Sequence, residues 1–109
     1  MNDQEFRTVA DRALTDLHRR LSSASDRHAF EADFNSGALT IEFEDPPAKF
    51  VVSPNSPVRQ IWVSARVQSF KLDWNGTTAA FELSDGRTLL QLIADVVSDQ
   101  LGERVSLVA

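Results

Sequence analysis

Apolar and polar residues at the start of the chain repeat with a helical period. Apolar side chains recur three and four residues apart from Phe6 to Leu21, and charged residues occupy the other face. Asn2 followed by Glu5 has the spacing of a capping box. The pattern predicts a first helix over about residues 3–23.

The charged face of this helix carries acids and arginines four residues apart, a spacing that brings side chains together. We expect them to pair with one another on a solvated face. The predicted pairs are Asp3 with Arg7, Arg7 with Asp11, Arg12 with Asp16, and Asp16 with Arg20.

Six shorter segments alternate apolar and polar residues, as strands with one buried face do. The first two flank the turn Asn35-Ser36-Gly37 and form a hairpin with one apolar and one acidic face. Asp45-Pro46-Pro47 then interrupts the pattern. The predicted strands cover residues 30–35, 39–44, 50–53, 59–64, 70–74 and 79–83.

A second apolar helical face runs from Leu89 to Leu101, and Gly102 stands where a C-terminal cap is expected. The final apolar positions, which we expect to pack on the helices, are Val105, Leu107 and Val108. The order predicts an α+β two-layer sandwich, with both terminal helices on one face of an antiparallel sheet of about six strands. The length fits a single domain over residues 1–109.

The fourth predicted strand contains a tryptophan at an informative position. If Ile61 and Val63 face the core, Trp62 stands on the open side of the sheet. An exposed aromatic there indicates a contact surface. The alternative is a tryptophan that lies flat on its own sheet under long neighbouring side chains, and both interpretations stay open.

Composition excludes several classes of protein. The chain has no cysteine, which excludes disulfides and thiolate chemistry, and no apolar run of membrane-spanning length. A net charge of -5 argues against a general nucleic-acid binder. The amphipathic, acidic start does not resemble a signal peptide, so we expect a cytoplasmic protein. We also expect a monomer.

Charge is distributed unevenly along the chain. Residues 26–45 carry six acids and one arginine, whereas residues 46–72 carry four bases and no acid. Such asymmetry can steer a charged partner.

No catalytic constellation is apparent. Neither His18 nor His28 lies in a motif with a serine, and both are expected to be solvated. Several carboxylates on one surface would suit weakly held, partly hydrated cations. The alternative is that the strand acids only keep the protein soluble and protect a sheet edge.

Several segments together resemble the frataxin family. They are Pro57-Val58-Arg59-Gln60-Ile61-Trp62-Val63-Ser64, then Asp73-Trp74-Asn75-Gly76, then Ser84-Asp85-Gly86 before an apolar helix. The opening Met1-Asn2-Asp3 through Phe6, with Ala10-Asp11 after it, is similar to the bacterial CyaY-type branch. The resemblance spans nearly the whole chain, and Pro-x-x-Gln-Ile-Trp is its most specific part.

The resemblance implies a frataxin-like sandwich and a non-enzymatic regulator of iron–sulfur cluster assembly. Such a protein binds ferrous or ferric iron weakly and acts on a cysteine desulfurase–scaffold complex. The implied iron-binding ridge falls on Asp3, Asp11, Asp16, Asp26, Glu31 and Asp33. The implied partner-binding face falls on Asn55, Gln60, Trp62 and Ser64.

The chain departs from the family pattern where carboxylates are usual. The first helix ends His18-Arg19-Arg20-Leu21-Ser22-Ser23, and Thr78-Ala79-Ala80 stands where a second tryptophan is often found. These departures favour an alternative function, a metal-independent interaction domain that has lost most of the ridge. Catalytic oxidation of ferrous iron would need a defined iron site, and the sequence indicates none.

Overall fold

A computed structural model describes residues 1–107. The first element is a long helix near the N-terminus. Helix α1 covers Asp3–Ala24, one residue beyond the predicted end. The side-chain oxygen of Asn2 accepts the backbone N–H of Glu5 at 2.8 Å and caps the first turn. The buried face matches the predicted apolar stripe and consists of Phe6, Ala10, Leu14, Leu17, Leu21 and Ala24.

Six antiparallel strands form one sheet in chain order, so each strand pairs with its neighbours in the sequence. The strands are β1 Glu31–Asn35, β2 Ala38–Glu44, β3 Pro47–Asn55, β4 Gln60–Ala65, β5 Gln68–Asn75 and β6 Ala80–Glu82.

Strand β3 begins three residues before its predicted start at Phe50. The predicted interruption is confined to Asp45 and Pro46, because Pro47 already pairs with Glu44 of β2. Proline is tolerated as the first residue of a strand, where its missing N–H weakens the ladder least.

Helix α2 covers Leu89–Leu101, as predicted. Thr88 and Gln91 form a complete capping box at its start, with the Thr-x-x-Gln spacing that is visible in the sequence. Gly102 caps the end in the left-handed conformation, with φ 69°. Within the described residues, neither helix is both long and apolar enough to cross a membrane.

The chain after α2 returns to the helices. The hydroxyl of Ser98 accepts the backbone N–H of Val105 at 2.9 Å, and Arg20 Nη1 donates to the carbonyl oxygen of Leu107 at 2.9 Å. Val105 and Leu107 are buried, which confirms their predicted packing. Val108, predicted to pack with them, lies outside the described residues.

Both helices cover one face of the sheet, and the predicted fold class is confirmed. The core forms where alternate strand residues meet the apolar stripes of the helices. The sheet residues that it buries most completely are Leu39, Ile41, Phe50, Val52, Ile61, Val63 and Leu72. The opposite face of the sheet, here called the open face, carries the intervening residues.

Ile61 and Trp62 allow a test of which side chains support the fold. Ile61 is fully buried, so Ile61→Ala should lower the free energy of unfolding by about 2–5 kcal/mol. Trp62→Ala removes a largely surface contact and should cost only about 1–2 kcal/mol, from one hydrogen bond and one cation–π contact. Denaturant unfolding of both variants measures the difference. Equal destabilisation by the two substitutions would show that Trp62 belongs to the core.

Candidate partner-binding face and acidic surface

The four residues of the predicted partner-binding face lie together on the open face of β3 and β4. Asn55 pairs directly with Gln60, and Ser64 follows Trp62 two residues later along β4. Side chains two apart on a strand point the same way, so these residues form one continuous surface.

Trp62 is both exposed and held in place. Its side chain is among the large hydrophobic groups at the surface, at 38% exposure. The indole N–H donates to Oε1 of Gln60 at 2.9 Å, and the Gln60 amide donates to Oδ1 of Asp73 at 3.1 Å. Lys71 Nζ lies 4.9 Å from the ring centroid. Trp62 is therefore partly exposed, as on a contact surface, and partly covered by a long neighbouring side chain, as in the alternative interpretation.

Lys71 and Asp73 were not among the predicted site residues. They lie on β5 directly opposite Trp62 and Gln60, respectively. Alternation with Leu72 already indicates that both face away from the core. Their partners on β4 depend on the strand register, which alternation does not define.

The loop before β4 is tied to the start of α1. Arg59 adopts a left-handed conformation, with φ 52°, and its guanidinium donates to Asp3 at 3.1 Å. Asp3 was predicted as part of the iron-binding ridge. In the structure its negative charge is balanced by the loop that leads to Trp62.

Asp16, another predicted ridge residue, is held by two arginines. Arg19 and Arg20 donate to its two carboxylate oxygens at 2.5 and 2.9 Å. Partial burial raises the pKa of Asp16, but the two hydrogen bonds and positive charges outweigh it, so the pKa lies below its usual value. The carboxylate stays ionised, but its charge is compensated.

Only one of the four predicted pairs on α1, Asp16 with Arg20, forms within residues 1–107. Asp3 bonds to Arg59, and Asp11 has neither an ion pair nor a side-chain hydrogen bond within that range. The other predicted pairs are therefore wrong. Spacing of four residues permits a pair, but solvent competes with it at exposed positions.

The remaining ridge residues lie where α1 gives way to the first hairpin. Asp26, Glu31 and Asp33 are exposed, and none has a side-chain partner within the described residues. Glu42 stands directly opposite Glu31 on β2. We call the exposed carboxylates of this hairpin the hairpin acids, and they are Glu31, Asp33, Glu42 and Glu44.

Both histidines are packed against other elements, so the expectation that they are solvated is wrong. His18 Nε2 lies 3.2 Å from the carbonyl oxygen of Ala32, and its ring contacts Phe34. His28 is 15% exposed, with Nδ1 2.7 Å from a carboxylate oxygen of Glu103. The partners are distant in sequence, so local pattern could not identify these contacts.

The donor set fits a loosely held cation better than a closed metal site. No group of three or more histidine and acidic side chains among residues 1–107 is placed to hold a metal ion. Glu31 and Glu42 do bring two carboxylates face to face, where like charges repel each other. A partly hydrated cation beside them would relieve that repulsion.

Comparison with known proteins decides the family. The model of the frataxin-like domain matches residues 1–103. The chain belongs to the frataxin family. This family is linked to iron–sulfur cluster assembly, and iron binding is known at the level of the family.

A solved structure with the same fold is a frataxin from Psychromonas ingrahamii, studied for stability modulation within the CyaY protein family. The two superpose with a TM-score of 0.86 at 23% sequence identity, over 100% of each chain. At this identity the likeness establishes the frataxin fold of the chain. The predicted resemblance is confirmed.

Replacing Gln60 should release the indole of Trp62. In Gln60→Leu the indole N–H loses its acceptor, and its hydrogen exchange with solvent should accelerate several-fold. The matched control is Gln68→Leu, because Gln68 is exposed on β5. NMR of the two indole N–H groups measures the effect, with Trp74 as internal reference. Unchanged exchange at Trp62 would show that the bond does not order the ring.

Proposed function

We propose that this frataxin-family protein is a non-enzymatic adaptor of iron–sulfur cluster assembly, acting on a cysteine desulfurase–scaffold complex in the cytoplasm. The proposal rests on one observation: the exposed aromatic ring of Trp62 is held in one orientation by contacts with Gln60 and Lys71. The protein acts as a monomer and binds iron weakly at the hairpin acids.

An ordered surface aromatic favours recognition of a protein partner. Tryptophan is enriched among the residues that dominate binding energy at interfaces. Ordering a side chain before binding lowers the entropy lost on association. Trp62 lies between Ser53 and Lys71 in adjacent strands, so polar groups surround the aromatic contact. This arrangement suits an interface with an apolar centre and a polar rim.

Glu31 and Asp33 of the hairpin acids favour iron binding because no arginine or lysine in the described part of the chain pairs with either, whereas Lys49 stands opposite Glu42 on β3. Glu31 and Asp33 have no ion pair within residues 1–107, whereas Asp3 and Asp16 are each bonded to arginine. Hard oxygen donors on an exposed surface suit a hydrated cation at low affinity. Glu31 and Glu42, which face each other across β1 and β2, would hold the ion as a pair, and Asp26 and Asp33 would add negative potential nearby. Iron here is cargo or a regulatory signal.

The arginines of α1 favour a second candidate function. Arg19 and Arg20 compensate Asp16, and Arg59 compensates Asp3, which removes two carboxylates from the implied ridge. A protein-interaction domain of the same fold could then work without metal. The two functions differ in whether iron changes the affinity for the partner complex.

A metal titration distinguishes iron binding near the first hairpin from iron binding on α1. Cobalt(II), as a surrogate for ferrous iron, should perturb NMR signals near Asp26, Glu31 and Asp33 more than those near Asp11 and Asp16, because arginines lower the negative potential along α1. Glu31→Gln combined with Asp33→Asn should weaken binding, and Asp11→Asn with Asp16→Asn should change it little. Largest shifts on α1, or none anywhere, would contradict iron binding at the hairpin.

Binding to the purified desulfurase–scaffold complex tests the adaptor function. Trp62→Ala should weaken binding by about 2 kcal/mol or more, roughly 30-fold, as for a central aromatic contact. Val67→Ala is the control, since Val67 is a fully exposed apolar residue in the β4–β5 turn. Equal affinities for the two variants would reject the open face as the interface. Affinity that is identical with iron and with chelator would select the metal-independent function.

A further inference from the structure

A cavity of about 430 Å³ lies on the helical side of the molecule, between α1, β6 and the start of α2. Its walls are mainly apolar and include Val9, Ala13, Trp74, Phe81 and Leu89. We call this cavity the helix groove. It lies in the helical layer, so it is a different surface from the one that carries Trp62.

The helix groove exists because small side chains line it. Val9 and Ala13 continue the apolar stripe of α1, but they are only partly buried. Ala79 lines the cavity beside β6, where a larger side chain would narrow the space. Apolar cavities of roughly 300–1,000 Å³ with a few polar groups are the usual form of small-molecule sites.

The uncompensated charge that lines the helix groove is positive. Arg12 lines the cavity, is exposed, and has no ion pair or side-chain hydrogen bond among residues 1–107. Asp16 also lines it, but Arg19 and Arg20 occupy both of its oxygens. The hydroxyl of Thr88 is engaged in capping α2. An anionic head group would therefore find a free guanidinium donor at the edge of an apolar space.

We propose that the helix groove binds a small amphipathic monoanion, of the class of medium-chain fatty carboxylates or aryl carboxylates. The apolar body lies against Val9, Ala13 and Trp74, and the carboxylate accepts hydrogen bonds from Arg12. A concave apolar space of this volume suits a small molecule, whereas a stable protein interface needs roughly 800 Å² from each partner. This site is independent of the proposed function on the open face.

Decanoate, below its micelle concentration, is the probe. The chain has two tryptophans, so Trp62→Phe leaves Trp74 as the reporter in the wall of the cavity. Decanoate should change Trp74 fluorescence saturably, decanol should bind more weakly, and decyltrimethylammonium should not bind. Equal binding of the three probes, or no saturable change with decanoate, overturns the proposal.

Substitution of Arg12 tests whether its guanidinium binds the carboxylate of the ligand. Arg12→Gln should weaken decanoate binding about tenfold, the size of one charge-assisted hydrogen bond. Arg27→Gln is the control with the same charge change, because Arg27 is exposed after the end of α1 and does not line the cavity. Equal affinities for these two variants overturn the role of Arg12.

Filling the cavity gives a second test. Ala13→Phe should abolish saturable binding, and Val9→Phe should do the same from the preceding turn of α1 if the first variant fails to fold. Retained affinity in a folded filled variant overturns the location. If an acidic, apolar peptide binds the helix groove while decanoate does not, the ligand class is wrong.

Discussion

The burial of only one face of a six-stranded sheet is the constraint on which the rest of the structure depends. Side chains alternate between the faces, so every residue that enters the core sends its neighbours to the other side. Ile61 and Val63 are buried beneath the helices, and Trp62 between them must therefore stand on the open face. The proposed interface follows from the same periodicity that builds the core.

Among the described residues, arginines neutralise some of the surface carboxylates and leave others without an ion pair. Asp3 and Asp16 are bonded to arginines, whereas Glu31 and Asp33 on the first hairpin are not. Arg20 has a further role, because it also donates to the carbonyl oxygen of Leu107 and holds the chain that follows α2. Arginine at the end of α1 therefore both neutralises a carboxylate and links the helix to the C-terminal segment.

The two layers of the sandwich provide different kinds of surface. The sheet offers an open face with an ordered aromatic residue and polar neighbours, which suits a macromolecular partner. The helical layer leaves a cavity where Val9 and Ala13 of α1 approach Ala79 and Phe81. The fold does not fix the size of the side chains at these positions. A large side chain at Trp62 creates the first surface, and small side chains such as that of Ala13 create the second.

The sequence by itself determined the elements, the fold class and the residues that face away from the core. Apolar periodicity and caps are local, so α2, the Gly102 cap and the position of Trp62 on the open face could be predicted. The tertiary structure decided which polar groups meet between elements, whereas the Asp16–Arg20 pair within α1 follows from local spacing. Trp62 bonds to Gln60 and Gln60 to Asp73 because the strand register aligns them, and Asp3 meets Arg59 across a large sequence separation. Local spacing cannot specify such contacts, since polar side chains at the surface pair with whatever the fold brings near them.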